Sequence, residues 1–246
     1  MGIQIIQKEN QAFGSFNQGE IVENKPIGFP QDGGQTKTYS TLFYWAHATS
    51  KKGSTIGLHP HKGFEIVTYV IEGKIKHYDT KTDQWTTLEQ GSFQVIKSGS
   101  GIAHSEELCD NSAIFQIWFD PDISKSLYND AKYNDYKSSD LPVKTNGQIN
   151  MKTIVGKNSP VKLDTPGISI REIELKENYT LPLESENTYS IYLIHGAVKL
   201  NNDPLNEDDF VIINNEKELK IECSSLSNLF IIESPKKPTY KTYTND

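Results

Sequence analysis

Apolar and polar positions along this chain alternate mostly with a period of two, in short runs broken by glycine, asparagine and aspartate. Residues 39–46 read as an aromatic strand and residues 64–72 as a β-branched one. Glu72-Gly73 interrupts the second run, and residues 74–79 resume the alternation as the return arm of a hairpin. Further strands are predicted at 84–88, 93–97 and 114–119. The one helix-like stretch covers 124–136. Many short strands at regular spacing predict an all-β sandwich or barrel.

The segment 133–159 is polar and rich in Lys, Asp, Asn and Gly, so it reads as a connection between an N-terminal domain, 1–132, and a C-terminal domain, 160–246. Strands resume at 168–175, 189–194, 197–200, 210–213, 219–222 and 229–233. The order strand, glycine, strand around Gly196 repeats the order around Gly73, which predicts two similar β-barrels in tandem. A length of 246 residues suits that division. The polar tail after Pro235 is expected to be loosely held.

Composition narrows the function classes. The net charge is -7 and Arg171 is the single arginine, with no dense basic cluster, which excludes a general binder of the nucleic-acid backbone. No apolar run reaches 18 residues, so no membrane-spanning helix is expected, and the first twenty residues lack the apolar stretch of a signal peptide. Cys109 and Cys223 stand far apart, as two reduced thiols rather than a disulfide scaffold. A cytoplasmic location is the simplest expectation.

The chemistry concentrates in two segments, Gly57-Leu-His59-Pro-His61-Lys-Gly-Phe-Glu65 and Gly101-Ile-Ala-His104-Ser-Glu106. Each carries two ligand-capable side chains at i and i+2, which share a face on a strand. Brought together inside a barrel, His59, His61, His104 and Glu106 offer three imidazoles and a carboxylate. That set suits one divalent transition metal, Fe, Mn, Ni, Co, Cu or Zn, and on a six-coordinate ion it leaves two open positions. Half of the six histidines fall in this constellation. Of the others, His47 and His77 are expected at the surface or in ordinary hydrogen bonds, and His195 as a structural histidine. Gln116 shares a face with Ile114 and Trp118; its amide needs a partner, which either the metal pocket or ordinary core packing would supply.

The run from His59 through Pro-His-Lys-Gly-Phe-Glu-Ile-Val-Thr-Tyr-Val-Ile-Glu to Gly73, and the run from Lys97 through Ser-Gly-Ser-Gly-Ile-Ala-His-Ser to Glu106, closely resemble the two signature blocks of the pirin family within the cupin superfamily. The resemblance is strong over residues 39–120 and elsewhere rests on length and strand pattern. It implies two cupin barrels with a metal, Fe(II) foremost, in the N-terminal one only, held by His59, His61, His104 and Glu106. Ordinary cupins take their carboxylate from the first block, where Glu65 stands; the pirin pattern takes it from Glu106 and leaves Glu65 as a supporting or structural group.

The resemblance further implies two functions of different class. One is a quercetin 2,3-dioxygenase-type ring opening, in which a flavonol-like aromatic chelator meets O2 at the metal and Glu106 takes the 3-hydroxyl proton. The other is an iron-dependent regulatory protein that binds a transcription factor or a metabolic enzyme.

Overall fold

The computed structural model describes residues 2–243, and among these the chain is almost entirely β-strand. It divides into two compact units. Each is built from a seven-stranded and a four-stranded antiparallel sheet, as the tandem all-β reading expects.

One unit comprises Gln11–Asp140, Leu163–Pro166 and the chain from Pro238 onward. In its larger sheet the β-branched strand Glu65–Glu72 lies between Phe93–Lys97 and Ser112–Phe119, and its inward positions alternate with outward ones. Gly73 then turns the chain at φ +68°, and Lys74–Asp79 enters the smaller sheet. That sheet runs in the order Ser54–His61, Ile102–Leu108, Lys74–Asp79, Gln84–Glu89. Ile21, Ala48, Val70, Ile75, Leu88, Leu108 and Ile114 form a buried apolar cluster in this unit. Phe43, Tyr44 and Ala46 form another, against which Phe29, Phe64 and Trp118 pack.

The other unit takes the chain up to Asn10 with Leu141–Lys162 and Gly167–Lys237. Its passage Asn187–His195, Gly196, Ala197–Leu200 has the form of the one around Gly73, with Gly196 at φ +91°. In both, the glycine carries the chain from the larger sheet into the smaller, so residues 74–79 are not the return arm of a hairpin with 64–72 as expected. The inward residues of both its sheets, among them Leu181, Ile191, Leu193, Leu200, Val211, Leu219 and Ile231, make one continuous apolar core.

Four further expectations are corrected. The polar segment 133–159 is no irregular linker: Lys132–Tyr136 pairs with Phe93–Lys97, while Val143–Asn146 and Ile149–Val155 are strands of the other unit's large sheet. The start of the chain does not belong with the first barrel either, because Ile3–Ile6 pairs with Phe210–Asn214. Polar composition misled in the first place, where Lys132–Tyr136 and Val143–Asn146 are edge strands that read as loop. In the second, the pairing joins residues about two hundred positions apart, which no local pattern encodes. The helix expected over 124–136 shrinks to Ile123–Ser126; a turn follows over 127–131, and Lys132–Tyr136 is strand. The tail is held: the Tyr240 hydroxyl donates to the Asp120 carbonyl, and the Tyr243 ring lies 5.3 Å from Phe64.

Candidate metal centre

The smaller sheet of the first unit explains why the ligand-type residues meet. Ile102–Leu108 is flanked by Ser54–His61 on one side and Lys74–Asp79 on the other. His104 stands opposite both His59 and Asp79, and Glu106 stands opposite His77. The register slips by one residue between His104 and Glu106, where Glu106 faces Ile56. Period-two alternation then turns His59, His104, Glu106, His77 and Asp79 to one side of the sheet.

His59, His61 and His104 converge, with one ring nitrogen of each lying within 4.8 Å of the others. The His59 ring centroid is 4.4 Å from that of His104 and 4.8 Å from that of His61. Nδ1 of His59 lies 2.8 Å from the Gly57 carbonyl, which fixes the ring proton there and leaves Nε2 as a lone-pair donor. Nε2 of His61 and Nε2 of His104 are buried and have no hydrogen-bond partner among the described residues. Buried polar atoms without partners are rare and need an explanation. Three converging nitrogens with free lone pairs are what a divalent cation requires.

Electrostatics agree. Burial pushes the pKa of His61 down to about 3, reinforced by His104 and His59. Burial pushes His104 down to about 2, reinforced by His59 and His77. Both rings are therefore neutral at neutral pH, the form a metal ligand must take.

The fourth expected ligand is arranged differently. Glu106 is fully buried, and its Oε2 accepts from Gln116 Nε2 at 2.6 Å. Its Oε1 lies 3.5 Å from the Thr68 hydroxyl and 4.0 Å from Nδ1 of His104. The carboxylate thus borders the three-histidine cluster while bonded elsewhere. Gln116 reaches it from the facing sheet.

Glu65 lies apart from the cluster. Thr68, its neighbour three residues on, faces inward to Glu106, so Glu65 falls on the opposite face of the same strand. Its carboxylate accepts from the backbone N–H groups of Asp164 and Thr165 at 2.6 and 2.7 Å and from the Thr165 hydroxyl. Lys97 Nζ is 3.7 Å away. This is a structural anchor for the segment Leu163–Pro166: of the two roles expected for Glu65, supporting group at the metal or structural group, its contacts are those of the second.

His77 was missed. Only 1% of it is exposed, and its Nε2 lies 3.3 Å from Nδ1 of His104. The sequence held the signal: Ile75 is an inward residue of the same strand, so alternation carries His77 and Asp79 inward with it. The interleaved Lys74 and Lys76 made the strand read as a surface arm. His195, by contrast, is exposed and lies 3.1 Å from Glu207.

Aromatic rings border the histidines. Trp118 meets His61 edge-on at 4.8 Å and contacts Tyr44, Phe29, Phe43 and Phe64. Its Nε1 is buried and has no hydrogen-bond partner among the described residues. Lys25 lies 3.4 Å from Glu23 and 3.1 Å from Asp32, and it sits over the Tyr44 ring.

Barrels of this build, one of them with converging imidazoles in its interior, define a cupin protein with a histidine-rich centre suited to a divalent cation. Residues 27–119 match the family model described as Pirin, so this stretch of the chain carries a pirin domain, of the cupin superfamily. It is 24% identical over 189 residues to a quercetin 2,3-dioxygenase of Escherichia coli K12, an alignment covering 74% of this chain and 78% of that protein. It is 35% identical over 115 residues to Pirin-1 of Arabidopsis thaliana, covering 44% and 39% respectively. The fold is shared with the E. coli bacterial pirin YhhW, solved in complex with nickel(II), at a TM-score of 0.79 and 21% identity, over 96% of this chain and all of that one. No helix among the described residues is long and apolar enough to cross a membrane.

Proposed function

We propose that this protein is a metal-dependent dioxygenase of the quercetin 2,3-dioxygenase type, acting on a flavonol-like aromatic chelator with O2. The observation that carries this reading is the convergence of His59, His61 and His104, with the Nε2 atoms of His61 and His104 buried and unpartnered among the described residues. Those three residues would hold one divalent transition metal, Fe(II) foremost, and Glu106 is the carboxylate that completes the set. When bound, such an ion supplies Lewis acidity toward the oxygens of a chelating substrate and, if redox-active, a route for O2 chemistry. Quercetin 2,3-dioxygenases among the relatives support the substrate class, and nickel in the YhhW structure supports a divalent metal.

The chain's own residues have separable tasks. Glu106 Oε1 has only long contacts, with Thr68 and with His104, so it is the group to take the 3-hydroxyl proton of a flavonol. Gln116 holds the other carboxylate oxygen and fixes its orientation. Trp118 and its aromatic neighbours give a planar aromatic substrate an apolar wall beside His61 and keep water off it, which strengthens every polar contact made there.

The test is direct. Protein loaded with iron, manganese, nickel or cobalt should consume O2 with quercetin and bleach its visible absorption. The His59→Ala/His61→Ala double variant, folded by circular dichroism, should do neither. A metal-loaded wild type that leaves O2 and absorption unchanged with quercetin and with simple catechols would overturn the proposal.

A further inference from the structure

We propose that His77 is a positioning residue that, backed by Asp79, fixes the ring proton of His104 on Nδ1 and so aims the Nε2 lone pair into the three-histidine cluster. The inference rests on the reading of that cluster as a metal centre and adds to it a residue that never touches the metal.

The argument follows proton by proton. A neutral imidazole has one N–H and one lone pair, so His104 can offer Nε2 to a cation only if its proton sits on Nδ1. A buried N–H needs an acceptor. Two candidates face Nδ1 of His104: Nε2 of His77 at 3.3 Å and Oε1 of Glu106 at 4.0 Å. Only the first is within hydrogen-bond reach. To accept, His77 must carry its own proton on Nδ1, and that atom faces Oδ2 of Asp79 at 3.8 Å. Donation thus runs from His104 to His77, and the Nδ1–H of His77 is turned toward the Asp79 carboxylate, which attracts it across a distance longer than a hydrogen bond.

Each member is held in place. Asp79 is fully buried; its Oδ1 accepts from the N–H groups of Lys81 and Thr82, both at 2.8 Å, and its Oδ2 accepts from the Thr82 hydroxyl at 2.9 Å. The His77 ring is stacked on Tyr133, 4.7 Å away with 6° between the planes. The Tyr133 hydroxyl in turn donates to Asp135 and accepts from Gln94. Register completes the arrangement, because Asp79 stands directly opposite His104 across the sheet. A ring clamped on its face and held at both edges is one whose proton position has been chosen. Partners of this kind around ligating histidines contribute about 10–100-fold in metal affinity.

The experiment uses full-length protein with 15N-labelled histidine and Co(II) as the probe. Long-range 1H–15N spectra of the metal-free wild type should show His104 as the Nδ1–H tautomer. His77→Leu should release that preference and weaken Co(II) binding about 10–100-fold, read by competition with a chromophoric chelator. His77→Gln, whose amide oxygen can occupy the place of Nε2, should restore most of both, and urea midpoints separate loss of fold from loss of positioning. An Nε2–H tautomer in the wild type overturns the proposal. So does unchanged Co(II) affinity in His77→Leu, or a His77→Gln variant that folds like the wild type yet is as weak as His77→Leu. A wild type that binds no Co(II) sinks the metal reading itself, whereas the tautomer measurement judges the His77 contact alone.

Discussion

Two glutamates show how much a single residue's face decides. Glu65 and Glu106 are both fully buried carboxylates in the same unit, and both lie near the signature histidines in sequence. Glu106 borders the imidazole cluster, whereas Glu65 receives two backbone N–H groups and a hydroxyl from Asp164 and Thr165. Glu65→Gln would turn an amide N–H₂ toward one of those donors, at a cost of about 1–3 kcal/mol. It should lower the urea midpoint and leave metal affinity unchanged. Glu106→Gln should do the reverse, weakening metal binding and abolishing flavonol turnover with a smaller change in stability. Equilibrium unfolding and metal competition on both variants check the pair, and a Glu65→Gln protein that loses its metal would restore Glu65 to the site. The three histidines were legible because i, i+2 spacing on a strand has one geometric meaning. The exact partner of Glu106 was not, since Gln116 reaches it from another sheet and no local pattern encodes that contact. His77 was legible in principle, through its phase with Ile75, and was obscured by the lysines on either side.

At the scale of elements, strands with one face in the core announced themselves and those at the margins did not. Glu65–Glu72 and Ser112–Phe119 are nearly continuous apolar runs in the middle of a sheet, and sequence placed them within a residue or two. Val143–Asn146 is exposed throughout at a sheet edge, and a single apolar residue, Val143, is too little to mark it. Turns were the better guides. Gly73 joins a strand of the large sheet to one of the small sheet at φ +68°, and a Cβ there would sit 2.6 Å from the Asn111 carbonyl oxygen. Since neither backbone can give way cheaply, Gly73→Ala should destabilise the unit by about 1–3 kcal/mol. The strand that follows carries His77 and Asp79, so the same variant should also weaken metal binding. Urea unfolding with and without saturating Co(II) measures both effects, and a Gly73→Ala protein as stable as the wild type would show that the turn relaxes freely.

For the whole molecule, the two units share a plan and differ in what fills them. The unit with the signature segments has an interior divided between apolar clusters and a polar group of four histidines, Glu106, Gln116 and Asp79. In the other unit the corresponding strands contribute Leu, Ile and Val with Tyr189, and its one histidine, His195, is exposed and pairs with Glu207. Packing of that kind contributes stability through buried area, and it offers a cation no lone pairs. Among the described residues, His59, His61 and His104 form the one cluster of histidine, cysteine or carboxylate groups with metal-binding spacing. The chain should therefore take up one divalent ion. Elemental analysis after loading and dialysis should return about one equivalent per chain. The His59→Ala/His61→Ala variant should return none while keeping its β-sheet circular dichroism, because each histidine is partly exposed and neither belongs to an apolar core cluster. Two ions per chain, with the second surviving in that variant, would mean that a surface carboxylate group or the second unit binds metal as well.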